Sequence, residues 1–181
     1  MAPTEPVTTR LVLDAIAFAA RAHQGQLRKD GKTPYASHPF RVCLIVRDIF
    51  CVEDPRVLTA AVLHDTIEDT TTDFDDLEKH FGREVAEWVA ALSKDKRRHE
   101  REREPAYIAT LVSACWQVQV CKLGDVCDNL LDLDQMPSEK RTQSLVRART
   151  YLEALKPSLR PEARAAYDMV AELYRKTRSA K

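Results

Sequence analysis

Apolar side chains recur every three to four positions along most of the chain, the spacing of helices that each bury one face, and stretches alternating apolar with polar are few. Leu11, Ala15, Phe18, Ala19 and Ala22 form the first stripe, with Thr8 or Thr9 as its N-cap. Residues 24–39 then bring glycine, proline and cations together and read as a loop. Pro39 suits a first helical turn and disfavours helical backbone at His38, which puts His38 just where a helix begins. That helix is expected to bury Val42, Ile45, Val46 and Ile49. Asp54-Pro55 supplies a cap and a first-turn proline for the next helix, whose buried run Ala60-Ala61-Val62-Leu63 leads to His64 and Asp65. Beyond Thr72, a short helix with Phe74, Leu77 and Phe81 stops at Gly82, and another carries Val85, Trp88, Val89 and Leu92. Tyr107, Ile108, Leu111 and Val112 follow Pro105, then a mostly apolar helix over 116–133 and two amphipathic ones over 138–155 and 161–178. The pattern predicts an all-α fold.

Composition sharpens this picture. The 181 residues suffice for one domain with a sizeable core, expected over residues 9–178 between a flexible N-terminus (1–8) and a short tail (179–181). Only four glycines are present. Lys plus Arg and Asp plus Glu both number 28, so net charge supports neither a general nucleic-acid surface nor a polybasic membrane anchor. The N-terminus lacks the basic-then-apolar pattern of a signal peptide, and no apolar run is long enough to span a bilayer. The five cysteines are odd in number and contain no C-x-x-C pair, which favours reduced structural thiols in a cytoplasmic protein. Residues 94–104 alternate in sign and read as a solvated helix or loop with pairs such as Lys96/Glu100 and Arg98/Glu102, or as a basic flap over an anionic substrate.

The candidate chemistry lies where the buried run meets His64, Asp65, Glu68 and Asp69. On a continuous helix, His64 and Glu68 share a face, as do Asp65 and Asp69. Four ionisable groups at the inner end of a buried helix need hydrogen bonds or a cation to offset desolvation. A His-Asp pair by itself also fits a solvated acidic helix end. Asp125 changes that balance, because it is a second carboxylate set in an apolar helix. With His38, the set becomes two imidazoles and two carboxylates, suited to Mn, Fe, Zn or Mg rather than to a thiolate-bound metal.

Three segments resemble a known family. Residues 22–31 with Thr33-Pro34-Tyr35 and His38-Pro39, the centre Leu63-His64-Asp65-Thr66-Ile67-Glu68-Asp69-Thr70, and Lys122-Leu123-Gly124-Asp125 with Asn129 are similar to the HD-domain phosphohydrolases, and more narrowly to the hydrolase domain of RelA/SpoT alarmone enzymes and stand-alone small alarmone hydrolases. The likeness runs from about residue 10 to 155 and departs at Gly124, Val126 and Leu131, where the family has alanine, a cation and often arginine.

The resemblance implies a single HD-domain helical bundle that hydrolyses the 3′-pyrophosphate of guanosine tetra- or pentaphosphate with one Mn²⁺ held by His38, His64, Asp65 and Asp125. Glu68 and Asp69 would handle the attacking water. Arg28, Lys29 and Lys32, from one loop, and Asn129, a turn after Asp125, would contact the nucleotide. His23 is expected to brace the loop, and His80 and His99 to lie on the surface. Adenosine alarmones and the 2′-phosphate of NADPH are rival substrates. An antitoxin-like module that binds an alarmone synthetase is a second class of function, and an HD nuclease a third. Self-association is compatible with each. The chain ends before a nucleotide-transferase domain would fit, so hydrolysis without synthesis is expected.

Overall fold

The computed structural model describes residues 6–179. Residues 1–5 and 180–181, most of the expected flexible ends, lie outside the described residues. Helix α1 (Pro6–Ala22) begins earlier than a cap at Thr8 or Thr9 would place it, with Pro6 in the first turn where no backbone donor is needed. Helices α2 (Ser37–Leu44), α3 (Pro55–Leu63), α4 (Thr66–Asp69), α5 (Phe74–Phe81) and α6 (Arg83–Leu92) follow, then α7 (Glu100–Ser113), α8 (Trp116–Leu131), α9 (Ser138–Leu155) and α10 (Arg164–Ser179). No strand occurs among the described residues, only an isolated antiparallel bridge between Leu27 and Pro34 that pinches the 24–36 loop.

Helices α3 and α8 form the centre. Asp54 caps α3 by accepting from the Arg56 N–H, and every residue from Val57 to Leu63 is buried, because α1, α2, α6 and α8 surround it. Helix α8 also packs on α2, α9 and α10. Its Gly124 lets α2 approach closely: a Cβ there would stand 2.8 Å from Val46 Cγ2 and 3.2 Å from Val42 Cγ1. The departure from alanine noted in the sequence is therefore a packing feature.

One apolar expectation needs correction. Val42, Ile45 and Val46 are buried, but Ile49 is 45% exposed. Residues Ile45–Ile49 wind as a π-helical turn, closed by the Phe50 N–H on the Ile45 carbonyl at 3.0 Å. The wider turn rotates less per residue and moves Ile49 out of the α-helical stripe. Helix α7 starts at Glu100, within the run read as a solvated helix or loop, and Pro105 sits inside it and removes one bond, to the carbonyl of exposed Arg101. Residues 94–99 are irregular; Lys96 pairs with Asp69 at 2.8 Å and Arg98 with Asp95 at 3.6 Å, and the Glu100 side chain of the expected Lys96/Glu100 pair lies outside what is described.

All five cysteines are free, with Cys43, Cys121 and Cys127 buried. Among the described residues, no helix is long and apolar enough to cross a membrane.

Candidate active site

The central motif does not lie on one continuous helix. His64 ends α3, Asp65 turns the chain at φ −101°, ψ −3°, and α4 begins at Thr66. Thr66 Oγ1 donates to the Leu63 carbonyl at 2.7 Å, and the Asp69 N–H reaches the Asp65 carbonyl at 2.8 Å, so the break leaves these groups satisfied. His38 is already helical, second in α2 and one residue before Pro39, against the preference a proline imposes on its predecessor, and its N–H donates to the Tyr35 carbonyl at 2.9 Å.

Helices α2, α3 and α8 bring two imidazoles and two carboxylates together. His38 Nε2 is 3.5 Å from Asp65 Oδ2 and 3.2 Å from Asp125 Oδ1, and His64 Nε2 is 3.0 Å and 4.0 Å from the same two atoms. Both imidazoles are 2% exposed. Their tautomers follow from their other nitrogens. His38 Nδ1–H donates to Asp128 at 2.7 Å and His64 Nδ1–H to the Ala61 carbonyl at 2.8 Å, and both partners only accept.

The two Nε2 lone pairs are thus aimed at carboxylates, an arrangement that needs positive charge between them. His64 Nε2 is a buried atom without a hydrogen-bond partner. Burial favours neutral His64, but the Asp65 carboxylate, with Asp125 behind it, outweighs burial and lifts its pKa to about 9. Burial likewise raises the Asp65 carboxyl, but His64 and His38 overcome it and hold Asp65 below the usual carboxylate range. A first-row divalent cation about 2.1 Å from each donor places neighbouring donors about 3 Å apart, close to the spacings found here. His38, His64 and Asp65 satisfy the distance requirements of a shared metal site, and Asp125 borders the same gap.

Each donor is held from behind. Tyr35 Oη donates to Asp65 Oδ2 at 2.5 Å. Lys122 Nζ lies 2.8 Å from Asp125 Oδ2, and Asn129 Nδ2 donates to Asp125 Oδ1 at 2.6 Å. Asp128, wholly buried, accepts from His38 and lies 2.6 Å from Arg41 Nε. Asp128 was not singled out in the sequence, although the argument applied to Asp125 applies to it equally: a carboxylate in an apolar helix, one turn further on.

These contacts change the reading of the substrate candidates. Arg28 is 8% exposed and pairs with Asp128 at 3.3 Å and Asp132 at 3.0 Å, so its guanidinium locks the loop to α8 rather than standing free for a nucleotide. Asn129 Nδ2 donates to both the backbone carbonyl and the Oδ1 of Asp125. Lys32 is exposed and outside the cavity, while Lys29 lines it and donates to Ser144 at 3.2 Å. His23 braces the loop as expected: its Nδ1 meets Gln26 Oε1 at 2.9 Å, and Gln26 Nε2 donates to the Asp69 carbonyl at 2.7 Å. His80 and His99 are exposed.

A cavity of about 290 Å³ opens over the cluster, and every candidate except Lys32 lines it. Glu68 Oε2 accepts the Lys94 N–H at 2.9 Å, and burial raises the Glu68 carboxyl above its ordinary value. Asp69 pairs with Lys96. The far wall holds residues that the motifs did not reveal: Lys94, Lys122, Tyr107, Ser144, Arg147 and Tyr151. Lys122 Nζ stands 4.2 Å from the Tyr151 ring centroid and 5.2 Å from that of Tyr107. Lys122 carried a sequence signal as part of the segment around Asp125, and Lys94 as the start of the charged run over 94–104; the others come from α7 and α9.

An all-α core that buries an H…HD…D donor set beneath a cavity is the architecture of an HD domain, and the sequence profile of the family described as HD domain matches residues 15–152. The chain is 39% identical over 138 residues to guanosine-3′,5′-bis(diphosphate) 3′-pyrophosphohydrolase MESH1 of Xenopus tropicalis, spanning 74% of this chain and 77% of that protein. The human protein of the same name is 39% identical over 129 residues, 71% of this chain and 72% of its own length. A solved structure described as a metazoan ortholog of SpoT that hydrolyses ppGpp superposes with a TM-score of 0.82 at 31% identity, covering 97% of this chain and 98% of that one. The chain belongs to the HD-domain hydrolases of the MESH1/SpoT type. Membership implies a divalent cation at the cluster described above.

Proposed function

We propose that this enzyme hydrolyses the 3′-pyrophosphate of guanosine 3′,5′-bis(diphosphate) and its pentaphosphate with Mn²⁺, and that residues 9–178 act as one unit. The observation that carries the proposal is the pair of buried imidazoles whose lone pairs converge on Asp65 and Asp125 beside Glu68 and Asp69, in a cavity shared with cationic side chains. The names of the MESH1 relatives support the substrate.

When bound to His38, His64, Asp65 and Asp125, the cation supplies Lewis acidity and lowers the pKa of water. The remaining work falls to the chain. A water oxygen bonds the phosphorus nearest the ribose, the bond from that phosphorus to O3′ breaks, and pyrophosphate leaves while O3′ takes a proton. Glu68, raised in pKa by burial and fixed by the Lys94 N–H, is placed to accept the water's proton, with Asp69 beside it to orient the water. Lys29, Lys94 and Arg147 face the cavity and offset phosphate charge.

Purified protein with Mn²⁺ and guanosine tetraphosphate is expected to release pyrophosphate and GDP. His64→Ala is expected to lower kcat/KM by at least about 10³, since it removes a donor from a cluster that acts as a unit. No turnover by the unaltered chain would refute the proposal. A parallel panel with adenosine alarmones and NADPH identifies the preferred substrate. Sedimentation reads self-association. Antagonism of an alarmone synthetase that survived His64→Ala would assign neutralisation to binding instead of hydrolysis.

A further inference from the structure

A second cavity, of about 440 Å³, opens beside the first and shares Glu68, Lys94 and Arg147 with it. Its remaining walls come from the irregular stretch before α7, from α7 and from α9, and include Lys96, Arg103 and Glu104. We propose that this annex is a subsite for the uncleaved polyphosphate arm of the nucleotide, a reading that rests on the function proposed above.

Charge is the first argument. Four cations line the annex against two carboxylates, and both carboxylates are engaged by the protein. Glu68 accepts the Lys94 N–H, and Glu104 takes Lys94 Nζ at 3.1 Å and the Tyr151 hydroxyl at 2.6 Å. Arg103 on α7 and Arg147 on α9 form no ion pair among the described residues. Guanidiniums entering one cleft from separate helices repel unless an anion stands between them, and their planar forks match phosphate oxygens.

Wall chemistry is the second. Among the described residues, Val146 is the only apolar one in the annex and no aromatic ring lines it, so it offers a base nothing to stack on. The first cavity supplies Tyr35, Tyr107, Tyr151 and Leu27 for that purpose.

Size and continuity complete the case. The first cavity, at about 290 Å³, lies at the low end of ligand pockets, which run roughly 300–1,000 Å³, and a nucleoside with two diphosphate arms is a large ligand. With one diphosphate at the metal donors, the second passes Glu68 and reaches the annex through Lys94 and Arg147, which border both spaces. Residues 94–104, read from the sequence as either a solvated segment or a basic flap, contribute Lys94, Lys96, Arg103 and Glu104 to this wall.

The test compares guanosine 3′,5′-bis(diphosphate) with guanosine 3′-diphosphate, which lacks the second arm, on Mn²⁺-loaded full-length protein. Arg103→Ala is expected to raise KM about tenfold for the first substrate, leave kcat within about twofold, and leave KM for the second unchanged. Arg103→Lys, which keeps charge without the fork, is expected to fall between. Equal KM shifts for both substrates, or none for either, would overturn the annex. If the unaltered chain cleaves neither substrate, the function proposal fails. The annex is then decided by equilibrium binding of GDP and guanosine: selective weakening of GDP by Arg103→Ala upholds it, and unchanged or parallel affinities overturn it.

Discussion

The floor and the rim of the active site are built on opposite principles. On the floor, His38, His64, Asp65 and Asp125 sit on α2, α3 and α8 or at their ends, and each is held from behind by a named partner: Asp128, the Ala61 carbonyl, Tyr35, and Lys122 with Asn129. On the rim, Lys94, Lys96, Arg103 and Arg147 come from an irregular stretch and from the outer faces of α7 and α9. The floor donors are fixed by partners within the protein, whereas two of the rim guanidiniums form no ion pair among the described residues. A centre that binds a cation must be preorganised, because misplacing a buried donor is costly. A surface that grips a polyanion can stay solvated and still act through charge.

Replacing Lys122 is the strongest way to test the floor. In chelator-treated protein, Lys122→Met leaves the Asp125 carboxylate buried without its cation and is expected to lower unfolding stability by about 3–5 kcal/mol in denaturant titrations. With Mn²⁺ present the loss should shrink, since the metal takes over the compensation. Identical losses in both conditions would mean that Lys122 acts through packing on Tyr107 and Tyr151.

Next comes Asp128. Asp128→Asn keeps the shape but removes the charge that orients the His38 imidazole and answers Arg28 and Arg41. Mn²⁺ affinity by calorimetry is expected to fall roughly 10–100-fold while circular dichroism stays helical. An unchanged affinity would show that α2 alone positions His38.

A smaller effect is expected at Gly124. Gly124→Ala gains about 1 kcal/mol of helix propensity but pushes a methyl against Val46 and Val42, and overpacking of this kind costs about 1–3 kcal/mol. The expected sum is a stability loss of about 1 kcal/mol, seen as a lower Tm, with metal affinity reduced if α2 and His38 shift together. A stabilised variant would show that α2 and α8 have room to part.

The smallest effect belongs to the rim loop. Asp30 accepts hydrogen bonds from Thr33 Oγ1 at 2.6 Å, the Lys32 N–H at 2.8 Å and the Thr33 N–H at 3.0 Å, and these bonds lower its pKa to about 2. A depressed carboxylate adds order that is fully present above its unfolded value, about 3.9, and is lost as pH falls through about 2. Amide shifts of Lys32 and Thr33 should follow that window, and their titration near pH 4 would contradict the bonding.

How much was legible in the sequence can be followed residue by residue. The α3 start was visible because Asp54-Pro55 is a local signal, and the end of α5 because Gly82 adopts φ +84°. The residues proposed as metal donors were visible because buried ionisable groups violate the apolar pattern around them. Ile49 was misplaced because a π turn is indistinguishable from an α turn in a short stripe. The pairing of Arg28 with Asp128 and Asp132 was not legible because these partners lie a hundred residues away in the chain. No local rule connects those positions.

The sequence by itself determined the all-α class, most helix limits and the four residues proposed as metal donors, since caps, periodicity and misplaced charges act over a few residues. Only the tertiary structure decided that Asp128 orients His38, that Lys122 neutralises Asp125, and that Lys94, Arg103 and Arg147 face the site. A surface cation on a helix looks the same in one dimension whether it meets water or a substrate. Which of these it meets is set by the packing of α7 and α9 beside the α3–α8 centre, a contact between helices far apart in the chain.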